Sequence, residues 1–597
     1  MKHSLLMAAV AAASVLANAH VVWQIGQKDG TGNEFALAPR GYNDFLQHDF
    51  GWENNYFLIG RSDAKKSFPY VLPGINDKWA GSGSPAGRRT QQVNILFDIA
   101  KKGTGGAWTL VIDFADVHKA ERPLLKVSVN GKARKMVLPV GGGDASIMKG
   151  DFSKAKPFAA KFDLADGEIV EGANEIKITS IEGSWAIFDD VRLEGPKDAV
   201  VRLAHKGAYV RSVKAGDYLI PGTGKQPLLV DVEHLEGAPV VRVEIDGKVA
   251  LEQRVEAGAY SLEAPMDAAV AGRPPYRTEY RVIVDDVCVR EGTVKCTPQR
   301  DAGVAGYVDT RMGTAHSRWM LAPGPWTPFS MVKLSPDNEG LPGKRVWDGG
   351  YDPSIESIGC FSHIHEWTMA GLGTMPTTGP LKTRMGADSE IKGHADGYRS
   401  FIDKTSEVCK AGYYAVKLTD HDIFAELTAT DRCGFQRYTY PAGKTPRVMI
   451  DLLTPCEYNY VLKACDVRQT GPRRIEGFSK QDTTHVWSRD ADQFYTVHFV
   501  IEFDRDIAKF GGWENDALWT GRAHSAQNPK YFGCYVEFEP AEGKTVVQMR
   551  SGISFVDIAG AANNLKREVE EPFGWSFEKV RAANEATWND LLGCWGA

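Results

Sequence analysis

The ten residues Tyr495–Asp504, YTVHFVIEFD, alternate so strictly that one element fits them best. Tyr495, Val497, Phe499, Ile501 and Phe503 recur at every second position, and successive side chains of a β-strand point to opposite faces. His498 and Glu502 fall on the other face, as a half-buried antiparallel strand requires. The same period flanks short turns elsewhere. KVSVNGKARKMVL sets Asn130-Gly131 between alternating segments, and VRVEIDGKVALEQRV does so with Asp246-Gly247, leaving Val241, Val243 and Ile245 on one side. Asn-Gly and Asp-Gly tolerate the positive φ of a two-residue hairpin turn. Helical periodicity is nearly absent until about Ala559. Beyond it, Phe577, Val580, Asn584, Thr587 and Leu591 recur at helical spacing behind Ser576 at the N-cap position. The pattern predicts a mainly β chain, with successive antiparallel sandwiches followed by short C-terminal helices.

At 597 residues the chain is too long for one ordinary core. Linker-like LEGPKDAVV around Pro196 and TPQRDAG around Asp301 divide it. The expected units are 20–196, 197–300, 301–558 and a helical linker 559–597, after a leader 1–19. In the leader, Lys2 and His3 precede an apolar run from Leu5 to Leu16, and Ala17-Asn18-Ala19 offers small residues for cleavage, so the protein is expected to be secreted or periplasmic. That run is too short to cross a bilayer, and no other membrane span is expected. No Asn-x-Ser/Thr sequon occurs, in keeping with a bacterial origin.

The formal net charge of −6 is spread along the chain without a basic block, which argues against a nucleic-acid partner. Nine cysteines leave at least one thiol unpaired. Cys288 and Cys296 flank VREGTVK, and a hairpin turn at Glu291-Gly292 would place them opposite each other for a cross-strand disulfide. No CxxC spacing suggests a zinc ribbon.

The segment GCFSHIHEWTMAGLGTMPTTGPL, 359–381, concentrates the polar chemistry. His365-Glu366 begins an HExxH pattern, but Met369 stands where the second histidine should be, and Gly371 and Gly373 oppose a long helix. The zinc-protease reading fails on that spacing. His363 and His365, two apart on a strand, would share a side and could hold a metal if a third ligand arrived from elsewhere. Nothing in the sequence supplies that ligand, and histidines hydrogen-bonded in a polar cleft are the favoured alternative. No metal site is predicted.

Residues 20 to about 196 resemble the carbohydrate-binding-like jelly roll of polysaccharide lyase family 4. The resemblance rests on VWQIGQKDGTGNEFA, FPYVLPGINDKWAG, VSVNG, LPVGGG and EGANEIKITSIEGSWAIFDDVRLE. It implies a jelly roll in which Trp23, Trp79 and Trp185 are candidate sugar-stacking platforms, with core packing as the alternative for each. Residues 197–300 read as an immunoglobulin-like sandwich of about seven strands.

Residues 305 to about 592 resemble the N-terminal β-sandwich of glycoside hydrolase family 92, the calcium-dependent exo-α-mannosidases. YVDTRMGT, PGPWTPFSMVKLSPDN, GYDPSIESIGCFSHIHEW, MPTTGPL, the long run Tyr398–Pro441 and SGISFVDIAGAANNLKREV follow in order. The resemblance implies that segment 359–381 rims a sugar cleft. Trp367 would stack on a pyranose, while His363, His365 and Glu366 would bond hydroxyls or shape the rim. The familiar version reads His-Thr-His-Leu-Ser-Gly-Thr-Gly; here Glu366-Trp367-Thr368-Met369 follow His365, which bears on mannose specificity. Relatives continue into an (α/α)₆ barrel that supplies the acid, the base and the calcium ligands, so no cofactor is expected within these residues. Inverting hydrolysis uses two carboxylates about 6.5–9.5 Å apart. Glu426 with Asp431, and Asp420 with Asp422, read instead as strand-edge and turn residues. The expected partner is a carbohydrate, an α-mannoside or a plant or host glycan, with a helical catalytic domain lost or separately encoded. The closing CWGA reads as the end of a truncated product whose last helix is docked on nothing. The expectation is thus the substrate-pocket portion of a mannosidase, inactive alone. A carbohydrate-binding or adhesion protein is the alternative.

Overall fold

The computed structural model describes residues 20–48, 50, 55–81, 83–84, 87–88, 90–143, 147–220, 222–270, 273–299, 303–314, 321–338, 350–353, 355–364, 371–386, 391, 396–453, 461–482 and 494–594. The leader 1–19 lies outside them.

The first unit is a sandwich of two antiparallel-rich sheets. In one, His20–Gly26, Ala186–Gly195, Trp108–Val117 and Phe158–Leu164 lie side by side. In the other the order is Val200–Arg202, Gln92–Lys101, Gly172–Glu182, Leu124–Val129 and Lys132–Val137. Strand Val200–Arg202 pairs with Gln92–Lys101, so the hydrogen bonding runs past Pro196 to Arg202. Alternation explains the core: Val127 and Val129 on one strand and Ile176 and Ile178 on its neighbour all point inward and are buried. Asn130-Gly131 makes the expected turn, with φ of 48° and 84°.

The second unit has seven strands. Ala208–Ala215, Lys225–His234 and Ala259–Asp267 form one sheet, and Lys248–Arg254, Val240–Ile245, Tyr276–Val284 and Val287–Cys296 the other. Asp246-Gly247 turns with φ of 48° and 75°, as its sequence demands. The proposed disulfide is overturned. Val287–Cys296 is one continuous strand pairing with Tyr276–Val284, and the turn falls at Asp285-Asp286, both at positive φ. Cys288 and Cys296 therefore sit about 27 Å apart along one strand, far beyond disulfide reach. Both thiols are free.

The third unit packs a seven-stranded sheet on a ten-stranded one. The first runs Ser335–Asp337, Cys360–Ser362, Gly373–Thr377, Arg447–Asp451, Phe532–Glu537, Lys509–Glu514, Ala517–Thr520. At the centre of the second, Cys433–Tyr440, Thr545–Ser554, Phe494–Phe503 and Arg474–Asp482 are neighbours. Val497, Phe499, Ile501 and Phe503 enter the core between the sheets. The opposite face is not simply solvated. Val500, Phe435, Ala415 and Cys433 are buried there beneath Ala561, Leu565, Phe577 and Val580.

Those last four belong to the C-terminal helices, which corrects the expectation of a helix docked on nothing. Helix Ile558–Leu565 starts at Asp557, whose carboxylate accepts from Gly560 N at 2.6 Å, and a π turn Lys566–Glu570 follows. In helix Phe577–Gly593, Asn584 donates to Pro325 O at 2.6 Å and Ala429 O at 2.8 Å, and Trp588 Nε1 to Trp326 O at 2.7 Å. Ser576 makes no side-chain cap bond, and Thr587 and Leu591 of the predicted stripe are exposed. The docked face drifts to Trp588 and Asn589 because 3.6 residues per turn rotate a straight stripe around the axis.

The units meet through charge and apolar contact. Lys126 and Lys135, on the outer face of the jelly-roll sheet, both engage Glu356 of the third unit, and the Lys135 ammonium lies 4.1 Å from the Phe401 ring centre. Farther along the same face, Tyr56 and Leu96 pack with Ala204 and Tyr209 of the second unit.

Candidate functional site

Strands Cys360–Ser362 and Gly373–Thr377 form a hairpin in which Ser362 faces Gly373. His363 N donates to Leu372 O at 2.9 Å, and Lys333 N donates to His363 O at 2.9 Å, so the chain at His363 is held on both sides. The His363 imidazole is fully buried. Its Nε2 lies 2.7 Å from Ser551 Oγ and its Nδ1 3.3 Å from Leu372 O. With Nδ1 protonated, Nε2 accepts the Ser551 hydroxyl proton; the carbonyl partner selects that tautomer. A Cβ on Gly434 would stand 3.2 Å from Nε2, so glycine makes room for the ring. Burial lowers the His363 pKa to about 4, which keeps the ring neutral at physiological pH. His363 is thus an internal brace, as the hydrogen-bonded reading anticipated. Its ring is enclosed within the sandwich.

Against Gly371 lies a polar floor. Gln481 Nε2 donates to Leu452 O at 3.0 Å and Ser479 Oγ to the same oxygen at 3.2 Å. Gly371, at φ +131°, approaches so closely that a Cβ would meet Gln481 Nε2 and Ser479 Oγ at 3.3 Å. Ser362 Oγ and Gln481 Oε1 are buried with no protein partner. The inward face of Arg474–Asp482 therefore changes from Ile475 to Ser479 and Gln481 toward this end. Two polar residues two apart, entering an otherwise apolar alternation, were a readable signal that the sequence reading passed over. His365, Glu366 and Trp367 lie outside the described residues.

Several carboxylates of the sandwich are tied down. Glu426 holds Arg437 at 2.6 Å and accepts from Tyr413 OH at 2.9 Å, while Glu502 holds Arg550 at 2.7 Å. Asp431 accepts from Thr327 Oγ1 at 2.6 Å; Asp422 occupies a turn at φ 54° and pairs with Lys417. Asp451 accepts from Tyr398 OH and Leu453 N, both at 2.7 Å, and burial raises its pKa. Among the described residues no three His, Cys, Asp or Glu side chains gather as a metal ligand set.

The jelly-roll tryptophans are placed differently from the stacking proposal. Trp23 is 6% exposed with its ring 5.3 Å from Phe97, and Trp185 is 3% exposed, edge-on to His118. A Cβ on Gly143 would lie 2.3 Å from the Trp185 ring. Both rings fill the core and have no face free for a sugar. Trp79 is half-buried, and Tyr42 and Phe45 meet it edge-on at 5.2 and 5.9 Å.

The third unit can now be placed among known domains: the profile of the glycosyl hydrolase family 92 N-terminal domain matches residues 307–554. The chain carries a family 92 N-terminal domain. The jelly roll matches the carbohydrate-binding-like domain III of polysaccharide lyase family 4 over residues 21–193. An uncharacterized secreted glycosidase of Arthroderma benhamiae is 27% identical over 321 residues, covering 49% of this chain and 39% of that protein. The chain thus spans about two fifths of the length of the curated relative it matches. Among solved structures, a family GH92 α-mannosidase from Bacteroides thetaiotaomicron is 24% identical, with a TM-score of 0.40 over 46% of this chain and 35% of that one. A family GH92 inverting mannosidase from the same organism is 20% identical, with a TM-score of 0.37 over 46% and 33%. The family 92 domain relates this chain to the glycoside hydrolases.

Proposed function

We propose that this chain is the sugar-pocket portion of an exported family 92 exo-α-mannosidase, with its sandwich forming one wall of the pocket for a terminal α-mannoside. The observation that carries the reading is the polar floor of Ser479 and Gln481 against Gly371, the residue that follows segment 365–370 in the sequence. A sugar needs hydroxyl partners and a flat apolar face, and that segment offers both. The apolar surface of the same sandwich fits a second wall. Phe329 is 98% exposed at φ +60° and Val556 is 80% exposed, an unusual display for isolated positions and a natural seat for a helical catalytic domain. Export is supported by the leader pattern and by the secreted glycosidase to which the chain is similar.

Hydrolysis with inversion takes two acidic groups on opposite sides of the bond, and Glu426, Glu502 and Asp451 of the sandwich are tied up in ion pairs or hydrogen bonds. Incubation of the purified chain with an aryl α-mannoside and calcium is therefore expected to release no phenol above a heat-treated control, while mannoside binding should be measurable and lost in Trp367→Ala. Steady turnover would refute the inactive-alone reading, and binding unaffected by Trp367→Ala would refute the pocket.

A further inference from the structure

We propose that the contact between the jelly roll and the second unit is a joint that tightens in acid, with Asp98 as the group that sets it. The inference does not rest on the sugar-pocket reading, because segment 359–381 belongs to neither unit.

Asp98 lies on strand Gln92–Lys101, two residues beyond Leu96 and so on the same face of the sheet. That face meets the second unit. Leu58 and Leu96 are buried with Ala204 and Tyr209, and Tyr56 packs beside them. Arg61 Nε and Nη2 both donate to Ala204 O, at 3.1 and 2.6 Å. The chain passes into the second unit here, since Arg202 stands opposite Asp98 in the edge strand Val200–Arg202. An apolar seat, a forked arginine and a short covalent link hold the two surfaces in register.

The seat covers Asp98 without satisfying it. Asp98 Oδ1 is buried and has no hydrogen-bond partner among the described residues. The nearby cations are turned to other tasks. Arg290, on Val287–Cys296, aims Nη1 at Val210 O and Arg211 O, at 3.1 and 2.9 Å, and Arg202 is exposed. A buried carboxylate oxygen without a donor is unfavourable while charged, and a proton removes that charge. Burial accordingly raises the Asp98 pKa, and the positive charges of Arg290 and Arg202 offset only part of the rise.

The other titratable groups at the seat do not oppose this. Burial raises the phenols of Tyr209 and Tyr56 well above their ordinary value, so both stay uncharged, and the Glu175 carboxylate reinforces the rise at Tyr209. Glu233 holds Arg211 at 3.0 Å and acts on Tyr56, and burial raises its pKa as well. If the units part, water reaches Asp98 and its pKa returns toward 3.8. The docked state then binds more protons than the parted one. Docking is therefore weakest above the docked pKa and strengthens as pH falls through it toward 3.8.

The test is hydrogen exchange of the full chain at pH 7.5 and pH 4.5, wild type against Asp98→Asn, with each rate divided by the intrinsic rate at that pH. Peptides covering Tyr56–Leu58 and 204–209 report the joint, and Phe158–Leu164, in the other sheet of the jelly roll, reports that unit itself. In the wild type, protection at the joint is expected to rise about tenfold on acidification, the scale of one unsatisfied buried charge. Asparagine has nearly the shape of a protonated aspartate and no charge, so Asp98→Asn should show the higher protection at both pH values. Equal wild-type protection at the two pH values would overturn the proposal. A pH response that survives in Asp98→Asn would place it in another group, such as Glu233, and would also overturn it. A rise that extends to Phe158–Leu164 would mean that Asp98 acts within the jelly roll, against a role at the joint.

Discussion

Replacing His363 with glutamine should change how the stability of the sandwich depends on pH. The imidazole is fully buried, and burial lowers its pKa from 6.5 to about 4. In the unfolded chain the group takes up a proton as pH falls through 6.5; in the folded chain it resists until about 4. The unfolded state then binds more protons, so stability is unaffected above pH 6.5, declines between there and about 4, and levels off below. That gap in pKa corresponds to about 3 kcal/mol. Buried acids work the other way. Burial raises the Asp451 pKa in the same sandwich, so its protonation favours the folded state as pH falls. The whole-chain profile therefore mixes signs, and only the difference between wild type and His363→Gln isolates the histidine. Glutamine keeps a polar group near Ser551 and Leu372 but cannot titrate. Urea unfolding read by pulsed hydrogen exchange of peptides from Phe494–Phe503 separates the sandwich from the other units. The wild-type advantage over the variant at pH 7.5 should shrink by about 3 kcal/mol at pH 4. An advantage that stays constant with pH would refute the buried neutral histidine.

Asn584→Ala removes donors to Pro325 O and Ala429 O from a buried site and should cost about 2–3 kcal/mol, loosening the C-terminal helix in limited proteolysis; wild-type protease resistance would argue against the docked helix. Intact mass after denaturing alkylation, without reductant, should show Cys288 and Cys296 both modified, and an unmodified pair would restore the disulfide. Glu356→Ala leaves Lys126 and Lys135 without their shared partner, so small-angle scattering should show a larger radius of gyration; an unchanged radius would mean that other contacts hold the jelly roll. Phe329→Gly relieves a left-handed backbone at an exposed side chain and should stabilise the sandwich by roughly 1 kcal/mol, whereas a lower melting temperature would show that the ring packs in solution.

What the sequence carries plainly is whatever depends on neighbours along the chain. Alternation placed Val497, Phe499, Ile501 and Phe503 in the core, and Asn130-Gly131 and Asp246-Gly247 announced their turns. Glu291-Gly292 misled because glycine is also tolerated inside a strand, and Asp285-Asp286 made the turn with two residues that accept positive φ less readily than Asn-Gly. Val500 could not be recognised as buried from its strand alone, since the helices that cover it begin more than fifty residues later. The tryptophans show the same limit. Trp23 and Trp185 have the chemistry of stacking platforms, but burial is decided by the opposing sheet and by glycines such as Gly143 that admit the ring.

The candidate site combines both kinds of information, and this explains its arrangement. A sandwich core must exclude unpaired polar groups, yet Ser362, Ser479 and Gln481 lie at one end of this one, with Ser362 Oγ and Gln481 Oε1 lacking protein partners. Chain from Phe329 runs through Met331 and Lys333 to the carbonyl of His363, and Phe555 contacts Tyr495, which pairs with Gln481, so polar floor and apolar rim share the same end. A polar end rimmed by exposed Phe329 and Val556 destabilises an isolated sandwich but suits one completed by a second surface. On that reasoning, adding a family 92 helical domain in trans should protect Gln481 and its neighbours from hydrogen exchange and raise the melting temperature of the sandwich. Protection limited to the jelly roll would place the second surface elsewhere.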